Sequence, residues 1–387
     1  MTDVEAVVRS DAALLEDDLA EFLDTLTAPA RAPVSVYEAA LRRALYEPVA
    51  DALGSKVGQQ ALPPTSGAPG GRAPLRPSMV YWAYRNYRGF PEELDAFPGK
   101  AEGFPERAER FPEKAETVSD FAVIRRTAVA VRILLKAAVA LDDIQDGSDV
   151  RYGEPALHTT HGTPLALNTG AWLIMSALRH AADPAVVDSL VRSVGSGFTG
   201  QAADMSSRTA LTRAELLAAP RATRVDFWES TAALKTGTLF WMPLDAAVAG
   251  LRVVEDDRLA LDGAMRQLGL ASQLFNDLTD FVPEFGGANT HEDFDGLGNR
   301  VFLELLDEDG DVPPGEDFKP YVLGHPRLQR TLLALAEEAV ALKRAAKDAV
   351  HGVCRSERSA AYFDVTIERK GHLIDRLLAT VRQRSGV

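Results

Sequence analysis

The chain has 387 residues, 46% of them hydrophobic, enough for a sizeable buried core in one domain or two. A net charge of -14 argues against nucleic acid as a partner, but not against a phosphorylated substrate whose Mg²⁺ inverts the local charge. The lone cysteine, Cys354, excludes an intramolecular disulfide and a cysteine-rich metal site. No apolar run reaches membrane-spanning length and the acidic N-terminus is unlike a secretory signal, so a cytoplasmic protein with no integral membrane segment is expected.

Ala, Leu, Val, Arg and Glu abound, and apolar residues recur at helical spacing, so the expected fold is all-α. Helical patterns cover about 4–28 and 35–53, the Gly/Pro-rich stretch 54–77 reads as a loop, and a short helix is expected at about 78–88. Phe90, Phe97, Phe104 and Phe111 then recur every seven residues, each followed by Pro, within an insert at 90–117. Proline every two turns disrupts a continuous helix. The insert therefore reads as four short turns or a flexible charged segment, either a low-complexity insertion or a lid or docking arm. Apolar-periodic segments follow at about 117–147, 164–181, 184–205, 221–250, 256–284, 324–353 and 357–384. Pro184 and Pro220 mark breaks, and 286–299 is a loop. With no clear domain boundary, residues 1–387 are expected to form one large helical bundle with the insert outside it.

Two acidic clusters about 130 residues apart carry the chemistry. In LDDIQDGSDVRYGEPALH (141–158), Asp142, Asp143 and Asp146 lie near one helical face, because residues three and four apart are stacked neighbours. In ASQLFNDLTDFVPE (271–284), Asn276, Asp280 and Glu284 share a face in the same way. An acidic helix face is usually only solvated. Here the first follows an apolar stretch (129–141), so its carboxylates project from a core helix, where unpartnered burial is costly and metal is one remedy. Two such faces can converge on Mg²⁺, which takes carboxylates together with substrate phosphates.

The first motif, with its following Arg151, Gly-x-Pro and Ala-Leu-Asn-x-Gly, resembles the first aspartate-rich region of trans-isoprenyl diphosphate synthases. Gly200-Gln201-x-x-Asp204 is similar to that family's GQxxD, Lys235-Thr236 to its KT motif, and Gln273 to the Gln ahead of its second aspartate-rich motif. The resemblance implies an all-α bundle of the isoprenoid synthase (class I terpenoid) type, with the two acidic helices facing each other across an apolar cavity. It implies that Asp142, Asp143, Asp146, Asn276, Asp277, Asp280 and Glu284 hold Mg²⁺, three ions, and that a prenyl diphosphate binds to Arg151, Gln201 and Lys235. Thr236 and Gln273 would place dipoles near the reacting carbon, or make ordinary buried hydrogen bonds. It further implies a homodimer through central helices.

Departures from the family pattern narrow the activity. Chain elongation needs a second, metal-free diphosphate site. Yet Tyr152 stands where a second Arg is usual, Leu135 where a His is usual, and GGRAPLRP (70–77) spaces Arg72 and Arg76 one residue too far apart. Each lost charge-assisted bond weakens such a site by roughly 1.5–3 kcal/mol. The second motif, from Asn276 and Asp277 through Asp280 to Glu284, is closer to the metal triad of class I terpene cyclases, although Asp280 replaces a hydroxyl residue and Pro283 stands where it can end the helix. Arg300 is a candidate replacement for missing lysines. Ala137 and Ala138, where bulky residues often limit chain length in the family, suggest a C15 or longer substrate. The expected function is Mg²⁺-dependent ionisation of a linear prenyl diphosphate followed by cyclisation or rearrangement. The alternatives are chain elongation with isopentenyl diphosphate, prenyl transfer to another acceptor with Tyr152 shaping its pocket, and a non-catalytic regulatory subunit. Asp142, Asp146, Asn276 and Glu284 are expected to line one pocket.

Overall fold

The computed structural model describes residues 3–27, 35–54, 74–90, 119–151, 153–285, 297–306 and 319–385. Helix α1 (Asp3–Thr27) is followed by α2 (Val36–Leu41), which continues through a π-helical turn, Arg42–Tyr46, into α3 (Glu47–Gly54). After α4 (Leu75–Arg88) come α5 (Asp120–Asp146) and an antiparallel hairpin, β1 (Val150–Arg151) with β2 (Glu154–Pro155). Then follow α6 (Leu157–His161), α7 (Thr163–Ala181), α8 (Pro184–Ser206) and α9 (Ala210–Ala218). Helix α10 (Arg221–Ala232) runs through a second π-helical turn, Ala233–Gly237, into α11 (Thr238–Gly250). The chain continues with α12 (Glu255–Thr279), a 3-10 turn (Pro283–Phe285), α13 (Arg300–Leu305), α14 (Lys319–Gly324), α15 (Leu328–Val353) and α16 (Glu357–Ser385).

Local chemistry explains where the site-bearing helices start and stop. Ser119 caps α5 by accepting from the backbone N of Ala122, and Gly147 ends it in a left-handed conformation. Asp183 accepts from Ala185 and Val186 at the start of α8, whose first turn holds Pro184. Between these caps α5 runs for 27 residues, roughly 40 Å.

The core has two apolar clusters. One gathers α1, α3, α4, α5, α7, α8 and α11. The other gathers α9, α10, α13 and α14. Helices α12, α15 and α16 contribute to both, so the clusters run into each other along these three helices. Three carboxylates pin α1 to this bundle. Asp11 binds the buried Arg85 guanidinium at 2.5 Å and accepts from Tyr362 Oη at 3.0 Å, Asp18 pairs with Arg125, and Asp3 lies 2.6 Å from Arg358.

The all-α bundle agrees with the hydrophobic period; the short helices α6, α9, α13 and α14 were not anticipated. Boundaries differ at Leu75 and Leu328, where helices start some three or four residues from the expected points, and most at α12, where the helix expected to reach Glu284 ends at Thr279. Of the four phenylalanines of the 90–117 insert, Phe90 is within the described residues, buried beneath the Arg358 guanidinium at 4.2 Å and against Tyr362. The rest of that insert, Tyr152, Gly70 and Arg72 lie outside them. No helix among the described residues is long and apolar enough to cross a membrane.

Helices α8, α10–α11 and α12 meet backbone to backbone. A Cβ on Gly200 would lie 2.3 Å from the Lys235 nitrogen, and one on Gly269 would lie 2.4 Å from Gly237 Cα. Backbone cannot retreat as a side chain can. Gly269→Ala is therefore expected to destabilise the protein by about 1–3 kcal/mol. Gly263, on the same helix with nothing within 4 Å of its virtual Cβ, supplies the control. Gly263→Ala should stabilise by up to about 1 kcal/mol through helix propensity. Urea unfolding of both variants checks the opposite signs.

Candidate functional site

Helix α5 turns Leu135, Ala138, Val139, Asp142 and Asp146 outward as one half-buried stripe at helical spacing. Ala137 is fully buried in the core, so of the two small residues only Ala138 lies on the stripe. Past the Gly147 cap, the hairpin turns at Gly153 (φ +80°) and brings Arg151 back over the end of α5. Arg151 Nη2 donates to Asp142 at 2.7 Å, and its Nε donates to Asp143 at 2.5 Å.

Lys235 approaches the same carboxylates from across the cleft. It lies in the π-helical turn between α10 and α11, where one extra residue changes the phase of the helix. Its Nζ is 2.7 Å from Asp204, 3.6 Å from Asp142 and 3.7 Å from Asp146. Burial alone would lower its pKa, but these three carboxylates hold the ammonium well above its ordinary range. Asp142 and Asp146 titrate as a pair. Burial opposes ionisation of both. Lys235 and Arg151 nevertheless hold Asp142 below the usual carboxylate range, whereas burial and the Asp142 charge push Asp146 up to about 6. Burial likewise raises Asp143 to about 6, despite Arg151. Gln201 Nε2 reaches Asp146 at 3.4 Å.

The second cluster is used differently. Thr236 Oγ1 donates to Gln273 Oε1 at 2.5 Å, and Gln273 Nε2 donates to Asp277 Oδ1 at 2.8 Å. The other Asp277 oxygen accepts from Trp228 Nε1 and from the Arg300 backbone N, both at 2.8 Å. Asn299 donates to the Asp277 carbonyl and to Asp280 Oδ2. This network ties α10, the π-turn, α12 and the start of α13 together. The Thr236 and Gln273 side chains thus make part-buried hydrogen bonds within the protein, and Gln273 also borders the cleft.

Asp204, Arg208, Phe227, Trp228, Thr231, Lys235, Gln273, Asp277 and Asn299 border a cleft of about 590 Å³, counting its open mouth. The expected quartet is only partly assembled. Asp142 and Asp146 meet at Lys235 beside this cleft without bordering it, whereas Asn276 is exposed and makes no contact with that cluster. Glu284 is 55% exposed and bound to Arg384 of α16. The α12 helix ends four residues before Pro283, so its face does not carry through to Glu284. Arg300 is also displaced from its expected role. Its guanidinium is buried over the Trp228 ring at 5.2 Å and drawn toward Glu304, Glu338 and Glu229 at 3.0, 3.8 and 4.0 Å. Sequence reasoning missed Asp204's part in the Lys235 cluster, Arg208, Trp228 and Asn299. The GQxxD spacing pointed to Asp204; nothing local pointed to Trp228.

The donor chemistry of the α5 face suits Mg²⁺: two hard, half-buried carboxylates whose crowding raises Asp146 are what a dication relieves. Asp277, already accepting from three donors, does not fit a ligand role as it stands. Among the described residues, no group of three or more acidic, His or Cys side chains is gathered tightly enough to hold a metal by itself.

The family model for polyprenyl synthetase matches residues 108–294. Fusoxypene synthase of Fusarium oxysporum is 28% identical over 265 residues, which is 64% of this chain and 32% of that protein. Geranylgeranyl pyrophosphate synthase of Neocamarosporium betae is 32% identical over 115 residues, 29% of this chain and 31% of that protein. The chain thus spans about a third of the length of these curated relatives. Among solved structures, geranylgeranyl pyrophosphate synthetase from Pyrococcus horikoshii superposes with a TM-score of 0.62 at 18% identity, covering 97% of this chain and 98% of that one. Polyprenyl synthase from Caulobacter crescentus, complexed with calcium and isoprenyl diphosphate, gives 0.58 at 20% identity, covering 93% and 96%. These likenesses establish a shared fold.

The bonding of Asp277 generates a test. Asp277→Ala strands Trp228 Nε1 and the Arg300 N–H and should cost at least about 2 kcal/mol of stability. Asn276→Ala, at an exposed position, should stay within about 0.5 kcal/mol of the parent. Equal losses in chemical denaturation would remove Asp277 from its structural role.

Proposed function

We propose that the chain, whose residues 108–294 match the polyprenyl synthetase family model, is a member of that family that ionises a linear allylic prenyl diphosphate and lets the carbocation cyclise or rearrange into a terpene. The observation that carries this reading is the Lys235 ammonium set among Asp142, Asp146 and Asp204, with Arg151 clasping Asp142 and Asp143. Such a cluster offers fixed cations to a departing diphosphate and hard oxygen ligands to Mg²⁺ in one place. Asp142 and Asp146 would hold Mg²⁺, which when bound supplies Lewis-acid neutralisation of the leaving group. Lys235 and Arg151 would bind the diphosphate oxygens. Leu135, Ala138 and Val139, leading away from Asp142 on the same half-buried stripe, would form a wall that keeps water from the cation.

Cyclisation is favoured over elongation because Leu135 gives that stripe an apolar side chain where the elongating enzymes that the motifs resemble carry a His. The two longest matches among the relatives cited, fusoxypene synthase and a variediene synthase of Aspergillus brasiliensis, also carry terpene-synthase names. Geranylgeranyl pyrophosphate synthases keep elongation as the rival outcome. We further propose a homodimer through α7 and α8, where Leu167, Met175, Val191 and Phe198 are large apolar side chains about half exposed or more. Met175→Asp with Phe198→Asp should then yield a monomer by light scattering, and an unchanged mass would reject this interface.

Incubation with C10 to C25 allylic diphosphates, with and without isopentenyl diphosphate, tests the reaction. A hydrocarbon or alcohol plus free pyrophosphate without the second substrate is the expected product. A longer diphosphate, formed only when both substrates are present, would establish elongation instead. Asp142→Ala should lower pyrophosphate release at least about a hundredfold.

A further inference from the structure

The cleft holds one basic side chain that none of the motifs assigned. Arg208 follows the end of α8, four residues beyond Asp204, and its side chain is one-third exposed. Its Nη2 lies 3.1 Å from Asp146 Oδ1 and 3.9 Å from Asp204 Oδ2. Both carboxylates also face Lys235, yet the two cations are held differently. Lys235 is anchored within a continuous helix and surrounded by three carboxylates. Arg208 lies in the turn after its helix, borders the open cleft and, among the described residues, makes its one close ion pair with Asp146.

We propose that Arg208 exchanges partners. It neutralises Asp146 while that carboxylate carries no metal, and it turns to the diphosphate in the same cleft once a dication claims Asp146. The inference rests on the diphosphate reading above and adds a residue and an order of binding to it. The chemistry favours arginine for the second task, since its planar fork donates two parallel hydrogen bonds to phosphate oxygens. The exchange has a thermodynamic signature. Before substrate binds, Arg208 competes with the metal for Asp146 and weakens metal binding. After metal binds, the released guanidinium strengthens diphosphate binding. Metal and diphosphate therefore bind cooperatively through one side chain.

Calorimetric titration of the full chain with MgCl2 alone, and with inorganic pyrophosphate at saturating Mg²⁺, reads both halves without turnover. Arg208→Gln should bind Mg²⁺ more tightly than the parent in the absence of pyrophosphate. It should bind pyrophosphate at least about tenfold more weakly, the loss expected for one charge-assisted contact. Arg208→Lys, which keeps the charge but not the fork, should recover the parent Mg²⁺ affinity and only part of the pyrophosphate affinity. A side chain that merely supports the fold would not move the two affinities in opposite directions. Unchanged pyrophosphate binding by Arg208→Gln, beside a parent that binds it, would overturn the role of Arg208 alone. So would a fall in Mg²⁺ affinity. A parent that binds no pyrophosphate at saturating Mg²⁺ would overturn the diphosphate reading and this inference together.

Discussion

Contact between bare backbones, at Gly200 against Lys235 and at Gly269 against Gly237, is the constraint on which the site depends. Helices separated by ordinary side chains pack 8–10 Å apart. Here the absent Cβ atoms let α8 and α12 close on the π-helical turn from two sides. Asp204 can then reach Lys235 Nζ at 2.7 Å, and Gln273 can reach Thr236 at 2.5 Å. Both glycines are needed for their lack of volume, not for an unusual backbone angle. The polar geometry of the cleft follows from this steric condition.

Within that frame the two acidic clusters have diverged in use. On α5 the carboxylates are buried and crowded, and their stabilisation comes from cations contributed by other elements: Arg151 from the hairpin, Lys235 from the π-turn and Arg208 from the end of α8. On α12 the central carboxylate, Asp277, is saturated by neutral donors from three directions, which makes it a fastener between elements. A saturated carboxylate resists ligand exchange. A carboxylate balanced by side-chain cations rather than by a closed set of neutral donors keeps its charge open to a competing cation. The asymmetry puts the exchangeable chemistry on the α5 side.

How much of this was legible follows from the range of each interaction. The approximate extent of α5 and the acidic face at Asp142 and Asp146 are local properties, and spacing alone exposes them, whereas its caps at Ser119 and Gly147 went unread. The pairing of Lys235 with that face is long-range and was visible only through family resemblance. Glu284 was misplaced because a helical face was extended in phase toward Pro283, beyond the point where α12 stops. Arg300 was misplaced for a different reason. Glu304 lies four residues along its own helix, but Glu229 and Glu338 come from two others, and no sequence window shows that all three converge on it. Arg208 carried no pattern at all beyond standing four residues after Asp204.

Lys235 has a consequence for which ions the cleft will accept. Its ammonium is tethered, so it faces the three carboxylates at an effective concentration that dissolved cations do not match. A sodium or potassium ion brings no more charge than the ammonium already supplies and gains nothing by displacing it. Only an ion of higher charge density, or one arriving with an anion that offers the ammonium a new partner, shifts the balance. The protein thereby carries its own internal counter-ion.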